Sequence, residues 1–432
     1  MKKNLLLLSL LISGYFFGQT YPSLNVSMLG TLSPCSVNNW YASGSNTKYS
    51  SVIGWANPVD NKEYAIMGGT DGYYFIEVTN PTTPVLRDFE VGVNNNCLWR
   101  EMKMYGNYCY MISDDGPANG FIIADLSYLP DSIHVVHKGN SIIRTCHTLF
   151  VDGNKLYCGG INTLALGSQA MAVYDLSANP ESPTLLRYLG QDYPSLNYVH
   201  DMWVQNDTVF ASCGNQGLHI YKFNTNNTFT ELASYTGYVQ AGYNHSSFRT
   251  KNKNTLVFCD EVPTNTVVKI LDVSNLGNLT MMDTIHSNMG ATPHNPYILG
   301  DSLALVAYYQ DGLYLFDISN PSNVTVAGFF DTHYQNGLNN GFPSSPTSYM
   351  GAWAADPFLP SGNVLVSDMQ NGLFVLDISA VTAGIKKNKK PEISFNLFPN
   401  PTTDQLNVSL INYKGDATVE IIDQLGRKVS SQ

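Results

Sequence analysis

The 432-residue chain has no Cys-x-x-Cys pair, no His-Glu-x-x-His, no Gly-x-Ser-x-Gly, no Gly-x-Gly-x-x-Gly, no phosphate-binding GxxxxGK and no EF-hand loop. These absences exclude the zinc ribbon, the thioredoxin-like site, the helical zinc protease, the serine nucleophile elbow and the nucleotide cradles. Charge is also scarce, with 13% charged residues and a net charge of −11. A nucleic-acid partner needs basic patches, so that class is excluded. An acidic surface is not drawn to anionic membranes. Past the N-terminus no stretch approaches twenty apolar residues, so the mature chain has no expected membrane span. Helical periodicity is missing throughout.

What is present begins with an export signal. MKKN is a short basic region, LLLLSLLISGYFFG is an apolar run, and small residues follow near Gly18. Residues 1–19 therefore read as a signal peptide. No cysteine stands at the expected cleavage point, which argues against lipid anchoring. An exported chain can form disulfides. Seven cysteines leave at least one unpaired within the chain. Cys213 and Cys259, at the ends of matching strands, are the first candidate bridge, and most of the others read as buried free thiols.

The chain has nine histidines, and four return to one local context: CHTLFV (146–151), VHDMWV (199–204), NHSSFR (244–249) and PHNPYI (293–298). Each opens a unit of four short runs rich in Val, Ile, Leu, Tyr and Phe. Turn residues such as GN, QDG and SNP separate the runs, as in SLALVAYYQDGLYLFDISNPSNVTVAGFF. Such runs read as strands joined by tight turns. Units begin near Val52, Arg100, His147, His200, His245, His294 and Gly351. The last has only three runs, and residues 25–33, NVSMLGTLS, resemble the missing fourth. Four-stranded units of about fifty residues, closed by an N-terminal strand, describe an all-β, seven-bladed β-propeller over residues 20–381. An Asp-x-Ser recurs after the third run at Asp125, Asp175, Asp272, Asp317 and Asp377. Its expected role is structural, since Asp accepts backbone N–H bonds two residues on.

The repeats carry a family resemblance. DGLYLFDISNPSN, NGLFVLDIS and DGYYFIEVTNPTTP are similar to LVIVD repeats. GWANPVDNKEYAIMGG, LWREMKMYGN, GYNHSSF, PHNPYILGDSLALVAYY and GAWAADPFLPSGNVLVSDMQNGLFVLDI resemble, in that order, the choice-of-anchor B family over residues 25–380. This resemblance implies a secreted β-propeller and assigns no activity. After a polar linker at 382–391, FNLFPNPTTDQLNVSL and ATVEIIDQLGRKVSSQ resemble the type A sorting domain of type IX secretion. That implies a partner in the outer-membrane secretion machinery and an extracellular or cell-surface destination. Residues 392–432 are expected to form a truncated, partial β-sandwich-like version of the module.

In a propeller the first strand of each blade lines the central channel, so four histidines that open first strands gather at one mouth. The residues expected there are Trp55, Arg100, Glu101, His147, His200, Asp201, His245, Asp260, Glu261, His294 and Trp353. Antiparallel pairing places Asp260 and Glu261 near His245, and Asp114 and Asp115 near Arg100. Three readings stay open. The ring is structural, or it is a concave mouth that binds a protein or glycan, or His147, His200, His245 and His294 hold a metal ion. No motif implies any other cofactor and none names a catalytic residue. The reading taken forward is an exported binding module. Its alternatives are a metal-dependent hydrolase or lyase, using a pair such as His245 and Glu261, and a passive scaffold.

Overall fold

A computed structural model describes residues 21–37, 46–116, 119–263, 266–288, 290–333, 350–388, 394–398, 405, 407–411, 418, 420–422 and 428–431. Residues 1–19, read as a signal peptide, lie outside the described residues. So do residues 389–391 of the expected linker.

The continuous apolar runs become second and third strands. Glu63–Gly69, Thr255–Asp260, Leu303–Ala307 and Val364–Asp368 are buried along their whole length. A strand covered on both faces needs no polar alternation, and these runs have none. The last strand of a unit, such as Val85–Val91, is mostly exposed.

Seven antiparallel sheets follow in sequence order, over residues 49–91, 100–139, 148–188, 201–235, 244–285, 295–330 and 352–377. The first strands of successive sheets touch one another, and Ala352–Asp356 returns to Tyr49–Ala56. The fold is a seven-bladed β-propeller.

The N-terminal strand Ser27–Leu32 pairs with Gly372–Asp377, with Ser27 opposite Asp377 and Leu32 opposite Leu373. It supplies the fourth strand that blade 7 lacks, as residues 25–33 suggested. The same segment does more than expected. Ser23–Leu24 pairs with the outer strand of blade 6, with Ser23 opposite Phe330. The closing strand also runs hard against blade 1, where a Cβ on Gly30 would meet the Pro81 carbonyl at 2.3 Å. Only glycine permits that approach.

The five Asp-x-Ser turns are built alike. Asp125, Asp175, Asp272, Asp317 and Asp377 each accept the backbone N–H of the serine two residues on, at 2.8–3.3 Å. In blade 7 this turn leads into a helix, Ser379–Asn388, which the missing periodicity did not foretell. The N-terminus already fills the fourth-strand position there. The chain after Asp377 is therefore not needed as a strand there. This helix spans most of the segment expected to be a linker.

Apolar clusters fill the junctions between blades. Ile53, Tyr64, Met102 and Met111 join blades 1 and 2, while Phe210, Ile220, Phe258 and Leu271 join blades 4 and 5. Truncating Phe258, which is fully buried, to alanine should cost about 3–5 kcal/mol.

All seven cysteines are buried and free, which corrects the expected Cys213–Cys259 bridge. Matching sequence positions put the two thiols in different junctions. Cys213 packs with Tyr157 and Met202, and Cys259 packs with Val306 and Tyr308.

Residues 382–432 form a separate unit. Within it Ser394–Phe398 pairs with Asn407–Ile411, and Glu420–Ile422 pairs with Lys428–Ser431. Among the described residues no helix is long and apolar enough to cross a membrane.

Two measurements check this architecture. Deleting residues 21–34 opens blade 7 and removes the edge strand of blade 6, so the protein should melt markedly lower and aggregate through the exposed edge. An unchanged melting temperature would rule out N-terminal closure. Unfolded without reductant, the chain should titrate seven thiols, whereas a bridge would leave five or fewer.

Candidate ligand site

Blades 3 to 6 each place a histidine at the start of the inner strand, and Trp353 takes that place in blade 7. Their rings form a staircase. Centroids are 4.1 Å apart for His147–His200, 4.2 Å for His200–His245, 4.4 Å for His245–His294 and 4.5 Å for His294–Trp353. His245 and Trp353 reach it as the extra residues of β-bulges. The ladder steps from Asn244 opposite Asp260 to Ser246 opposite Cys259, and from Ala352 opposite Asp368 to Ala354 opposite Ser367. A bulge re-aims a side chain that strict alternation would bury in the blade.

Three of the imidazoles are oriented by the next blade. Nδ1 of His200 lies 3.1 Å from the His245 carbonyl, Nδ1 of His245 lies 3.0 Å from the His294 carbonyl, and Nδ1 of His294 lies 2.5 Å from the Trp353 carbonyl. A carbonyl only accepts, so Nδ1 carries the proton in all three and Nε2 keeps its lone pair. Burial, followed by the neighbouring histidines, holds His200 and His245 well below the usual imidazole range. Burial lowers His294 to about 3.

His147 behaves oppositely. Burial acts to lower its pKa, but Asp114, whose Oδ2 lies 2.6 Å from Nδ1, outweighs this with help from Glu101 and Asp201. The result is about 9, so His147 is a cation paired with Asp114 at neutral pH.

Glu261, from the turn between the second and third strands of blade 5, lies 3.8 Å from Nε2 of His245. Its Oε1 accepts a 2.5 Å hydrogen bond from the Tyr309 hydroxyl. Tyr309 is fully buried and has φ +46°, a left-handed conformation that costs a bulky residue about 1–3 kcal/mol. Paired backbone bonds with Ala352 hold it there, at 2.8 and 3.1 Å.

The histidines are 2–9% exposed where burial is nearly complete, at His200, His245 and His294, so they plug this end of the channel rather than frame an open mouth. Beyond the plug the channel widens to about 370 Å³. Its wall includes the third residue after each staircase position: Phe150, Trp203, Phe248, Tyr297 and Asp356, with Lys103 matching from Arg100. Trp203 and Phe248 lie 3.8 Å apart by centroid, and Phe150 meets Trp203 edge-on at 4.9 Å. Glu101, Asp201 and Asp356 also line it, and burial raises the pKa of all three. Trp203 Nε1, Ser247 Oγ and Asn295 Oδ1 are buried polar atoms without a partner.

Of the expected residues, His147, His200, His245, His294, Glu101, Asp201, Glu261 and Trp353 come together around the plug. Three do not. The Arg100 guanidinium turns away from the channel into blade 1 and donates to the carbonyls of Gly69, Thr70 and Asn94. Strand alternation sends Arg100 one way and Glu101 the other. Asp260 turns into its own blade, where it meets Lys269 at 2.8 Å with both side chains fully buried. Tyr238, Gly242 and Asn244 donate to the same carboxylate. Removing either partner of such a pair costs about 3–5 kcal/mol. Trp55 lies near the far end of its strand, packed on Tyr64 between blades 1 and 2, with Nε1 bonded to the Gly106 carbonyl at 3.2 Å. Asp115 caps the backbone N–H of Trp99 at 3.1 Å, and Asp114 crosses to His147 in the next blade rather than serving Arg100.

The aromatic wall was not foreseen. Its signal was present in the two-residue strand period, which puts Asp201 and Trp203 on one face of the inner strand.

The family model of the LVIVD repeat matches residues 302–332 and 361–387. A secretion system C-terminal sorting domain matches residues 396–432. This domain indicates export by type IX secretion to the cell surface or beyond, and hence contact with that machinery. No curated protein is similar to the chain. Among solved structures, the WD40 β-propeller domain of Doa1 is similar with a TM-score of 0.53 at 9% identity, over 82% of this chain and 96% of that one. A likeness at that identity shows the fold alone.

The two kinds of histidine should titrate with opposite signs. His294 is neutral in the fold down to about pH 3, while the unfolded chain takes up its proton near pH 6.5. Its stabilisation is therefore full above 6.5 and is lost as pH falls toward 3. The stability difference between wild type and His294→Gln should shrink by ~2–3 kcal/mol between pH 7 and pH 4.5. His147, raised to about 9, contributes fully below 6.5 and loses its contribution as pH rises through 9. The difference between wild type and His147→Gln should shrink by ~3 kcal/mol between pH 6 and pH 10. Urea unfolding at these pH values reads both, and equal slopes in the two variants would refute the assignment.

Proposed function

We propose that the protein is an exported binding module that seats the end of a glycan in its central channel. The observation that carries this reading is the channel wall. An aromatic surface of Trp203, Phe248 and Phe150 stands beside three carboxylates, one lysine and three polar atoms still without partners. A saccharide ring has an apolar C–H face for the aromatics and a rim of hydroxyls for the polar groups. The site is rich in acceptors and poor in donors. That suits a donor-rich ligand, a hydroxyl rim or an amino sugar, better than an anion.

Size supports a glycan over a protein. A volume of about 370 Å³ lies at the low end of the ~300–1,000 Å³ range of small-molecule sites. It admits a short chain end and excludes a folded surface. The seat is thus inside the channel, on the side away from the histidine plug. In this reading residues 1–19 are the export signal, 382–391 joins the propeller to its sorting module, and 392–432 is read by the secretion machinery.

Binding of neutral and amino-bearing oligosaccharides by the purified propeller, followed by calorimetry and tryptophan fluorescence, tests the reading. A bound saccharide should lose at least about tenfold in affinity, ~1.4 kcal/mol, in Trp203→Ala. Binding that is indifferent to Trp203, or a panel that yields only peptide binders, would overturn it.

A further inference from the structure

We propose that His200, His245 and Glu261 form a site for one divalent first-row transition-metal ion. The site lies in the plug, apart from the aromatic seat, and the inference does not rest on the glycan reading. One donor atom from each residue lies within 4.8 Å of the other two. Nε2 of His245 is already 3.8 Å from the Glu261 carboxylate. Bonds of ~2.0–2.2 Å around one ion need the donors roughly 3.5 Å apart. The remaining closure is at most about 1.3 Å for any pair.

The surroundings are those of a metal site rather than a space-filling cluster. A ligating imidazole usually donates its other N–H to a carbonyl or carboxylate, which fixes its tautomer and aim. His200 and His245 each do this, through the carbonyls of His245 and His294. A ligating carboxylate is in turn hydrogen-bonded, and the Tyr309 hydroxyl holds Glu261 at 2.5 Å. Tyr309 is held at φ +46° by its backbone bonds to Ala352, as Gly214 is held at φ +58° by its bonds to Asn244.

Two imidazoles and one carboxylate suit zinc, cobalt(II) or iron(II) better than magnesium or calcium. Three protein ligands leave a coordination position open. His147 stands outside the set because Asp114 already holds it at 2.6 Å. His294 is not among the residues whose donor atoms lie within 4.8 Å of one another. The proposed site thus uses two histidines and a glutamate.

The test uses the chelator-treated full chain without a histidine tag, with Zn²⁺ and Co²⁺ as probes. One Zn²⁺ per chain should bind by calorimetry and elemental analysis, and Co²⁺ should give visible d–d absorption that Zn²⁺ displaces. His245→Gln and Glu261→Gln should each weaken binding by more than about tenfold. Tyr309→Phe should weaken it about 10–100-fold. Glu261→Gln keeps an acceptor for the Tyr309 hydroxyl, so it is expected to fold even if the histidine variant does not. His219→Gln, which alters a histidine away from the plug, should bind like wild type. Absence of stoichiometric Zn²⁺ binding, unchanged affinity in Glu261→Gln, or preferential binding of Ca²⁺ would overturn the proposal.

Discussion

The pairing of Ser27–Leu32 with Gly372–Asp377 is the contact on which the rest depends. It joins the N-terminal segment to the last blade and turns a row of sheets into a ring. An open row would leave two sheet edges and two uncovered blade faces. Closure removes both and brings Ala352–Asp356 against Tyr49–Ala56. The channel exists only because those two inner strands meet.

A ring also converts local repetition into convergence. Histidines about fifty residues apart in sequence become neighbours about 4 Å apart by ring centroid. Blades 5, 6 and 7 each orient the histidine ring before them, through a carbonyl at 2.5–3.1 Å. The staircase is therefore cooperative in placement: shifting one inner strand moves the acceptor of its neighbour. The same convergence crowds titratable groups, so burial drives three histidines neutral while Asp114 keeps the fourth charged.

The two ends of the channel divide the chemistry. At the strand starts, buried imidazoles and Glu261 make a narrow, polar plug. Further along the same strands, Trp203, Phe248 and Phe150 make a wider aromatic wall. Glu101, Thr148, Asp201 and Asn295 line both regions and form the boundary between them. A ligand in the wide part would rest on this polar layer, with the histidine plug beneath.

Much of this was legible in the residues. The blade count, the closing strand and the Asp-x-Ser turns follow from turn chemistry and strand length, which are local properties. The gathering of His147, His200, His245 and His294 follows from repeat spacing combined with topology. Side-chain direction was less accessible. Arg100 and Glu101 are adjacent, yet only Glu101 faces the channel, because alternation fixes opposite faces without saying which is inward. Asp260 and Glu261 divide in the same way, one into a buried pair with Lys269 and the other toward His245. The bulges that turn His245 and Trp353 inward depend on partner register, which a single strand does not encode. Cys213 and Cys259 matched by sequence position but face opposite sides of adjacent blades, Cys213 toward blade 3 and Cys259 toward blade 6. The sequence by itself determined the repeat, its closure and the identity of the residues at the strand starts, because these rest on local turns and apolar runs. Only the tertiary structure decided which of them point inward, which carry charge and which meet, because those outcomes depend on the strand and blade that lie alongside.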